Sequence, residues 1–503
     1  MTQSQTTPAA PGDDSHPWAA LYSLLIGFFM ILVDMTIVTV ATPTITDALH
    51  ATPNAVIWVT SAYLLAYAVP VLITGRLGDR FGQKRLYLIG LAVFTLASLW
   101  CGLTGSIGAL ITARVVQGLG ASIMVPQTMA VITRVFPPHL RGRAMGLWGA
   151  TAGVSMVVGP VLGGVLTNWA GWEWIFIINV PVGVVGLWLA WRNVPTLETH
   201  SHKFDWIGVA LSGVGLFLLV FGIQNGEQHD WAGWIVAMIV AGIVVLGLFL
   251  LWQRANREEP LVPLGLFRDR NFSVANSTIT LMGFSVAGMG FPLMYYAQAV
   301  RGMSVLNSAL LMLPMAIVTL PLARYVGKLT DRVHPRVLIT FALVCLSGAF
   351  FWLYSQMTVG SSLWEIVLPM FLMGLGSAFF WAPNTATATR NLPVHQAGAG
   401  SGVYNTTRQV GSVLGSAAMA VLMDSRLAHY LPGASSSAGE GGAHKIQDPV
   451  IADHFSKAMS QSILLPAVVL LAGVFVALLF ERPKHAGFGG QGTTQPEATP
   501  AAH

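Results

Sequence analysis

Residues 24–43 read LLIGFFMILVDMTIVTVATP. A single charged side chain, Asp34, interrupts a run long enough to cross the hydrocarbon core of a bilayer, which takes about 20 apolar residues in a helix. The rest of the chain has the same character. Of 503 residues, 54% are hydrophobic and 9% are charged. An ordinary soluble domain carries about 25% charged residues, so this chain has too few to cover a water-facing surface. Collagen, coiled coil, disordered chain and disulfide-stapled secreted domain are excluded by the same composition. The two cysteines, Cys101 and Cys345, stand far apart inside apolar stretches and offer neither a disulfide framework nor a metal site.

Comparable runs follow along the chain, at roughly 18–41, 55–75, 86–104, 107–134, 143–166, 174–191, 206–223, 234–253, 272–298, 304–325, 336–355, 363–389, 398–424 and 462–481. The first is too long for a signal core and has no Lys or Arg before it, so it reads as a retained span. Lipid offers no hydrogen bonds to the backbone, which leaves helices or closed barrels. The runs lack the alternation of barrel strands. The expected fold is therefore an all-α membrane protein with fourteen transmembrane helices.

The cations orient it. With the N-terminus in the cytoplasm, only Arg301, Arg426, Lys445 and Lys457 of the 26 Lys and Arg lie outside, and Arg114 and Arg408 lie within spans. The remaining 20 (26 less four less two) fall on the cytoplasmic side, as the positive-inside rule requires of a plasma (inner) membrane protein with both termini cytoplasmic. Tails 1–17 and 482–503 and the Gly/Ser-rich outer loop 425–461 read as disordered or mobile.

The chain also repeats itself. Gly75-Arg-Leu-Gly-Asp79-Arg80 returns as Gly327-Lys-Leu-Thr-Asp331-Arg332, and Arg134, Pro137, His139, Gly142 and Gly146 match Arg390, Pro393, His395, Gly398 and Gly402. Two pseudo-symmetric six-helix halves follow, 18–191 and 272–481, joined by two extra linking helices over 206–253. Halves of this kind place a substrate site between them.

Charges inside a bilayer are costly and mark function or tight pairing. Asp34, in the first span, is suited to carrying a proton, loading from one side and unloading to the other; the alternative is a structural carboxylate. Arg114, in the fourth, is always charged. It either tunes such a site or clamps two helices, and whether it touches Asp34 is not legible here. Gly75–Arg85 is a loop whose Asp79 is suited to a helix N-terminus in the other half, with Arg80 and Arg85 pairing nearby acids; the repeat gives Asp331 and Arg332 the matching places. A contact of that kind exists in one conformation and acts as a gate latch. In the fifth span, Gly149, Gly153, Gly159, Gly163 and Gly164 allow close helix approach and Pro160 loosens the helix. Candidate cavity residues are Trp58, Tyr63, Tyr67, Gln117, Met124, Gln127, Trp148 and Met156 in the first half. Tyr295, Tyr296, Trp381, Asn384, Tyr404 and Asn405 are their counterparts in the second. Aromatic and Met faces suit varied, greasy, often cationic ligands. Arg408 reads as a residue near an interface that snorkels. No phosphate-binding loop, metal spacing or nucleophile–base arrangement is present, so no cofactor and no enzymatic activity is expected.

These residues resemble the major facilitator superfamily, and within it the fourteen-helix drug:proton antiporters, over 18–481. Gly75–Arg85 is similar to the superfamily's loop motif, Leu32–Val38 through Pro43 to the first-helix acidic motif, Leu110–Gly120 to the fourth-helix proton-coupling motif, and Gly149–Gly164 to the fifth-helix antiporter motif. The resemblance implies proton-driven multidrug efflux, with Asp34 and Arg114 coupling the proton. It also implies that the partners are small lipophilic substrates, protons and the bilayer. One departure is Glu173, where the family usually has Arg between two tryptophans. Rival readings are a proton-coupled importer of the peptide-symporter kind and a non-transporting membrane receptor or scaffold.

Overall fold

A computed structural model describes residues 17–482, apart from 52, 200–204, 227–228, 257–259, 393–395 and 432–445. Every regular element among the described residues is helical. In order they are α1 (Pro17–Ala48), α2 (Pro53–Ala68), α3 (Val71–Phe81), α4 (Gln83–Leu103), α5 (Ile107–Val135), α6 (Pro138–Trp169), α7 (Trp174–Ile177), α8 (Asn179–Asn193), α9 (Trp206–Asn225) and α10 (Gly233–Ala255). The second part holds α11 (Arg270–Tyr295), α12 (Val305–Leu310), α13 (Leu313–Thr330), α14 (Pro335–Gln356), α15 (Leu363–Arg390), α16 (Ala397–Tyr430) and α17 (Pro449–Ala477).

Local chemistry sets many of the boundaries. Asp205, Asp269 and Asp448 accept the first free N–H groups of α9, α11 and α17, and Ser362 with Glu365 forms a reciprocal capping box on α15. Gly82 separates α3 from α4 with φ 92°, a left-handed conformation in which a side chain is strained. Prolines break several spans. Pro70 precedes α3, which bends 45° from the end of α2, and Pro292 precedes the π-helical turn Tyr296–Val300.

Among the described residues, eleven helices are long and apolar enough to cross a membrane, or twelve with the bent α2–α3 pair counted as one span. The sequence stretches 143–166 and 304–325 fall on α6 and on α12–α13, outside that set. The sequence reading is corrected in two places. Gly75–Arg85, expected as a loop, is helical on both sides of Gly82, because α3 runs to Phe81 and α4 starts at Gln83 and the left-handed glycine alone makes the turn. The outer loop is the other. α16 runs on to Tyr430 and α17 begins at Pro449, so the loop expected over 425–461 is helical at both ends. Asp448 and Pro449 form a ready-made helix start there, and a helix need not stop where the hydrocarbon does. The tails 1–16 and 483–503 and the centre of that loop lie outside the described residues.

Packing follows one pattern twice. α1 lies along α6 and α8, α2 along α5, and α4 along α5 and α8. In the same way α11 lies along α16 and α17, α13 along α15, and α14 along α15 and α17. The sets are joined mainly by α3 and α5 on α16 and by α13 and α15 on α6, with a smaller contact of α2 on α16, while α9 and α10 pair with each other at the side. Large apolar side chains such as Leu96, Trp169, Trp188, Leu251, Trp364 and Phe475 remain exposed around the bundle. Such a perimeter is stable against lipid rather than water.

One end of the bundle is rich in arginine. There Arg134 donates to Gln83 Oε1 at 3.1 Å and Arg336 to the Phe480 carbonyl at 2.9 Å, while Arg270 pairs with Glu481 at 2.8 Å. The two sets meet closely at this end because glycine faces glycine: a Cβ on Gly75 would lie 2.7 Å from the Gly398 carbonyl, and one on Gly142 2.7 Å from that of Gly327.

Candidate functional site

Asp34 and Arg114 are both fully buried, and they form an ion pair between α1 and α5. Arg114 also donates from Nη1 to Gln117 Oε1 (2.6 Å) and from Nε to the Val59 carbonyl (3.1 Å). Its guanidinium lies 4.1 Å from the Tyr63 ring centroid and 5.6 Å from that of Phe176. The second oxygen of Asp34 accepts from Gln117 Nε2 at 2.9 Å and from Asn179 Nδ2 at 3.3 Å, and Gln117 Nε2 donates onward to Ser98 Oγ at 2.7 Å. Side chains from α5 and α8 thus converge on the α1 carboxylate, with Ser98 of α4 one hydrogen bond further out.

The sequence order explains the convergence. Arg114 and Gln117 are three apart and share a face of α5. Ser98 comes from α4, which packs along α5. Asn179 opens α8 just after the break that ends α7. Taking both charges out of water is costly, and the pair persists because nearly all of its hydrogen-bonding capacity is met. One donor, Arg114 Nη2, is buried without a partner.

At the arginine-rich end, Asp79 Oδ1 and Oδ2 accept from the backbone N–H groups of Gly398 and Ala399, each at 3.1 Å. These are the first free donors of α16, where the helix dipole favours an anion. Gln83 Nε2 adds a 3.2 Å bond to Asp79 Oδ1. The cations acting on Asp79 are Arg134 and Arg76. Arg80 and Arg85 are exposed, with Arg80 lying over the Phe81 ring. Across the bundle Asp331 sits against Gly142 near the start of α6 and pairs with Arg390 at 3.5 Å, while Arg332 is exposed.

On α6, a Cβ at Gly149 would meet Trp381 Cβ at 2.7 Å and one at Gly159 would run into Thr36 and the Val33 carbonyl. Gly163 and Gly164 are buried beyond the half-buried Pro160. The surroundings of Gly153 and Met156 lie outside the described residues.

The cavity candidates divide into several groups. Gln117 and Tyr63 belong to the Asp34 cluster. Gln127 donates to the Thr74 carbonyl at 2.7 Å, and Met124 packs against Gly27 and Gly90 in the core. Trp148 stacks on Phe28 at 4.6 Å, with its indole N–H buried and unpartnered. Trp58 faces Phe221 of the side pair at 5.6 Å. Asn384 accepts from Thr278 and donates to Tyr404 Oη at 3.0 Å within the second set, and Asn405 donates to the Ser401 carbonyl and to Met129 Sδ at 3.7 Å. Tyr295 is half-buried against the core, and Tyr296 donates to the Thr358 carbonyl at 2.6 Å. Tyr67 accepts from Arg408. Asn179, Ser98 and the Val59 carbonyl are neutral, so the cost of burying charge does not single them out in the sequence. A polar amide inside an apolar run, as at Asn179, was the available signal.

A bundle of apolar helices around a buried carboxylate–guanidinium pair is the build of a multi-pass membrane protein, and the family it matches makes it a transporter rather than an enzyme. The chain belongs to the Major Facilitator Superfamily, which it matches over residues 24–416. It is 52% identical to an uncharacterized MFS-type transporter of Mycobacterium tuberculosis, over 95% of this chain and 83% of that one. It is 34% identical to the tetracenomycin C resistance and export protein of Streptomyces glaucescens, over 85% and 79% respectively. Its fold resembles the crystal structure of a human organic anion transporter, with TM-score 0.61 over 91% of this chain and all of that one; at 14% identity this speaks for the fold alone.

Proposed function

We propose that the protein is a fourteen-span proton-coupled antiporter of the plasma membrane that exports amphipathic drugs or related lipophilic compounds by alternating access. Both termini are cytoplasmic in this reading, and the arginine-rich end is the cytoplasmic one. The observation that carries it is the fully buried Asp34–Arg114 pair. Protonating Asp34 would leave Arg114 buried as an uncompensated cation, held only by neutral acceptors and aromatic rings. That costs several kcal/mol in a low-dielectric interior, and a proton shifts conformations by its differential free energy between the two states. The protonated protein therefore favours a state in which Arg114 is better solvated, so proton binding and conformational exchange are linked. The export protein among its relatives supports the direction of transport.

The test is transport in proteoliposomes under an imposed pH gradient, across a panel of lipophilic substrates. Wild type should move substrate against proton flow, and Asp34→Asn should abolish the coupled flux while the protein stays folded. Undiminished coupled transport in that variant would remove Asp34 from the mechanism. A flux running with the protons would favour the importer.

A further inference from the structure

Arg408 lies eleven residues past the start of α16, about 16 Å along the helix at 1.5 Å per residue, which is deep within a span. Its guanidinium engages a neighbouring helix. One Nη donates at 3.3 Å to Tyr67 Oη on α2, across the junction between the two helix sets, and its Nε is buried without a partner. No acid pairs with it among the described residues. Its surroundings are neutral and polar: Tyr404 one turn earlier, Gln409 beside it, and Thr407, which donates to Asn276. The side chain is neither fully buried nor exposed.

A guanidinium left in the interior with unmet donors is an unfavourable arrangement unless an anion completes it. Asp34 cannot serve, because Arg114, Gln117 and Asn179 already fill its oxygens. The site also adjoins the proton-binding cluster. Tyr67 stacks near-parallel on Tyr63 with centroids 6.3 Å apart, and the Tyr63 ring lies under Arg114. A ligand on Arg408 therefore sits at the far end of a continuous ladder of contacts from Asp34.

We infer that Arg408 is a substrate-binding residue that receives the anionic head of an amphipathic monoanion, a carboxylate or phenolate, at the junction between the helix sets. This names a substrate class for the exporter proposed above and rests on that reading. It also departs from the cationic preference that the aromatic lining suggests from sequence.

The experiment is equilibrium binding to the full chain in nanodiscs without a pH gradient, read by tryptophan fluorescence. Its probes are laurate and dodecyltrimethylammonium, which share a tail length and differ in head charge. Wild type should bind laurate. Arg408→Gln should weaken laurate by about tenfold or more, the worth of a charge-assisted hydrogen bond, and leave dodecyltrimethylammonium within twofold. Arg408→Lys should recover part of the loss, and Tyr67→Phe, which frees the guanidinium, should keep laurate binding. Equal loss of both probes in Arg408→Gln would mean a structural role and overturn the inference. So would wild type that fails to bind laurate, a result that needs no variant to fold. Because no gradient is applied, proton coupling can fail its own test without affecting this one.

Discussion

Removing one member of the Asp34–Arg114 pair strands the other as a charge in a dry interior. Arg114→Met should therefore destabilise the protein by about 3–5 kcal/mol, whereas Asp34→Asn with Arg114→Met should recover much of that loss. Thermal unfolding in detergent reads both, and additive losses would mean the two residues do not act as a pair. The same logic separates Asn179 from the charged members. Its bond to Asp34 is neutral on one side and Gln117 still donates to the same oxygen, so Asn179→Leu should cost less, on the order of 1.5–3 kcal/mol for one hydrogen bond to a charged group.

At the scale of elements, the side pair α9–α10 is tied down by one carboxylate. Asp205 caps α9 at Gly208 N (2.8 Å) and also accepts from Trp252 Nε1 and Gln253 Nε2 of α10 (2.8 Å each) and from Leu261 N (3.3 Å). Partial burial pushes the Asp205 carboxyl up, but these four donors outweigh it and hold the group below the usual carboxylate range. A group depressed in the folded state stabilises above its unfolded value, about 3.9, and that contribution is lost as pH falls through the lower folded value. Below pH 4, protease cleavage between α10 and α11 should therefore rise. Asp205→Asn should show raised cleavage already at neutral pH and little further change on acidification; a wild-type pH profile in the variant would assign the effect to other groups. The helices themselves were legible from apolar runs and caps. Their internal breaks were less so, since a proline in a span can either end, bend or ride along a helix.

At the scale of the molecule, the two sets are latched at the arginine-rich end by Asp79 on the N-terminus of α16 and by glycine-to-glycine contact. Asp79→Asn keeps the shape but loses the charge–dipole attraction, worth about 0.3–1 kcal/mol, and one of the two N–H acceptors, so the closed-to-open ratio should fall at least roughly two- to fivefold. Gly398→Val is harsher. Even its Cβ would stand 2.5 Å from both Asp79 oxygens, so this end should not close at all and transport should cease with each half still folded. Distance distributions between spin labels on α3 and α16 check both, and unchanged distributions would show that the latch does not hold the closed state.

Composition and apolar run length determined that this chain is a helical membrane protein, because lipid as solvent leaves the backbone few solutions. The internal repeat likewise pointed to two related halves, and the rarity of charge singled out Asp34, Arg114 and Arg408. What each of those charges meets was decided only by the fold. Residues 34, 98, 114 and 179 are far apart in the chain, and hydrogen bonding works at about 3 Å. Only the packing of α1, α4, α5 and α8 brings a carboxylate to Arg114, and only that of α2 against α16 gives Arg408 a phenol rather than an acid among the described residues.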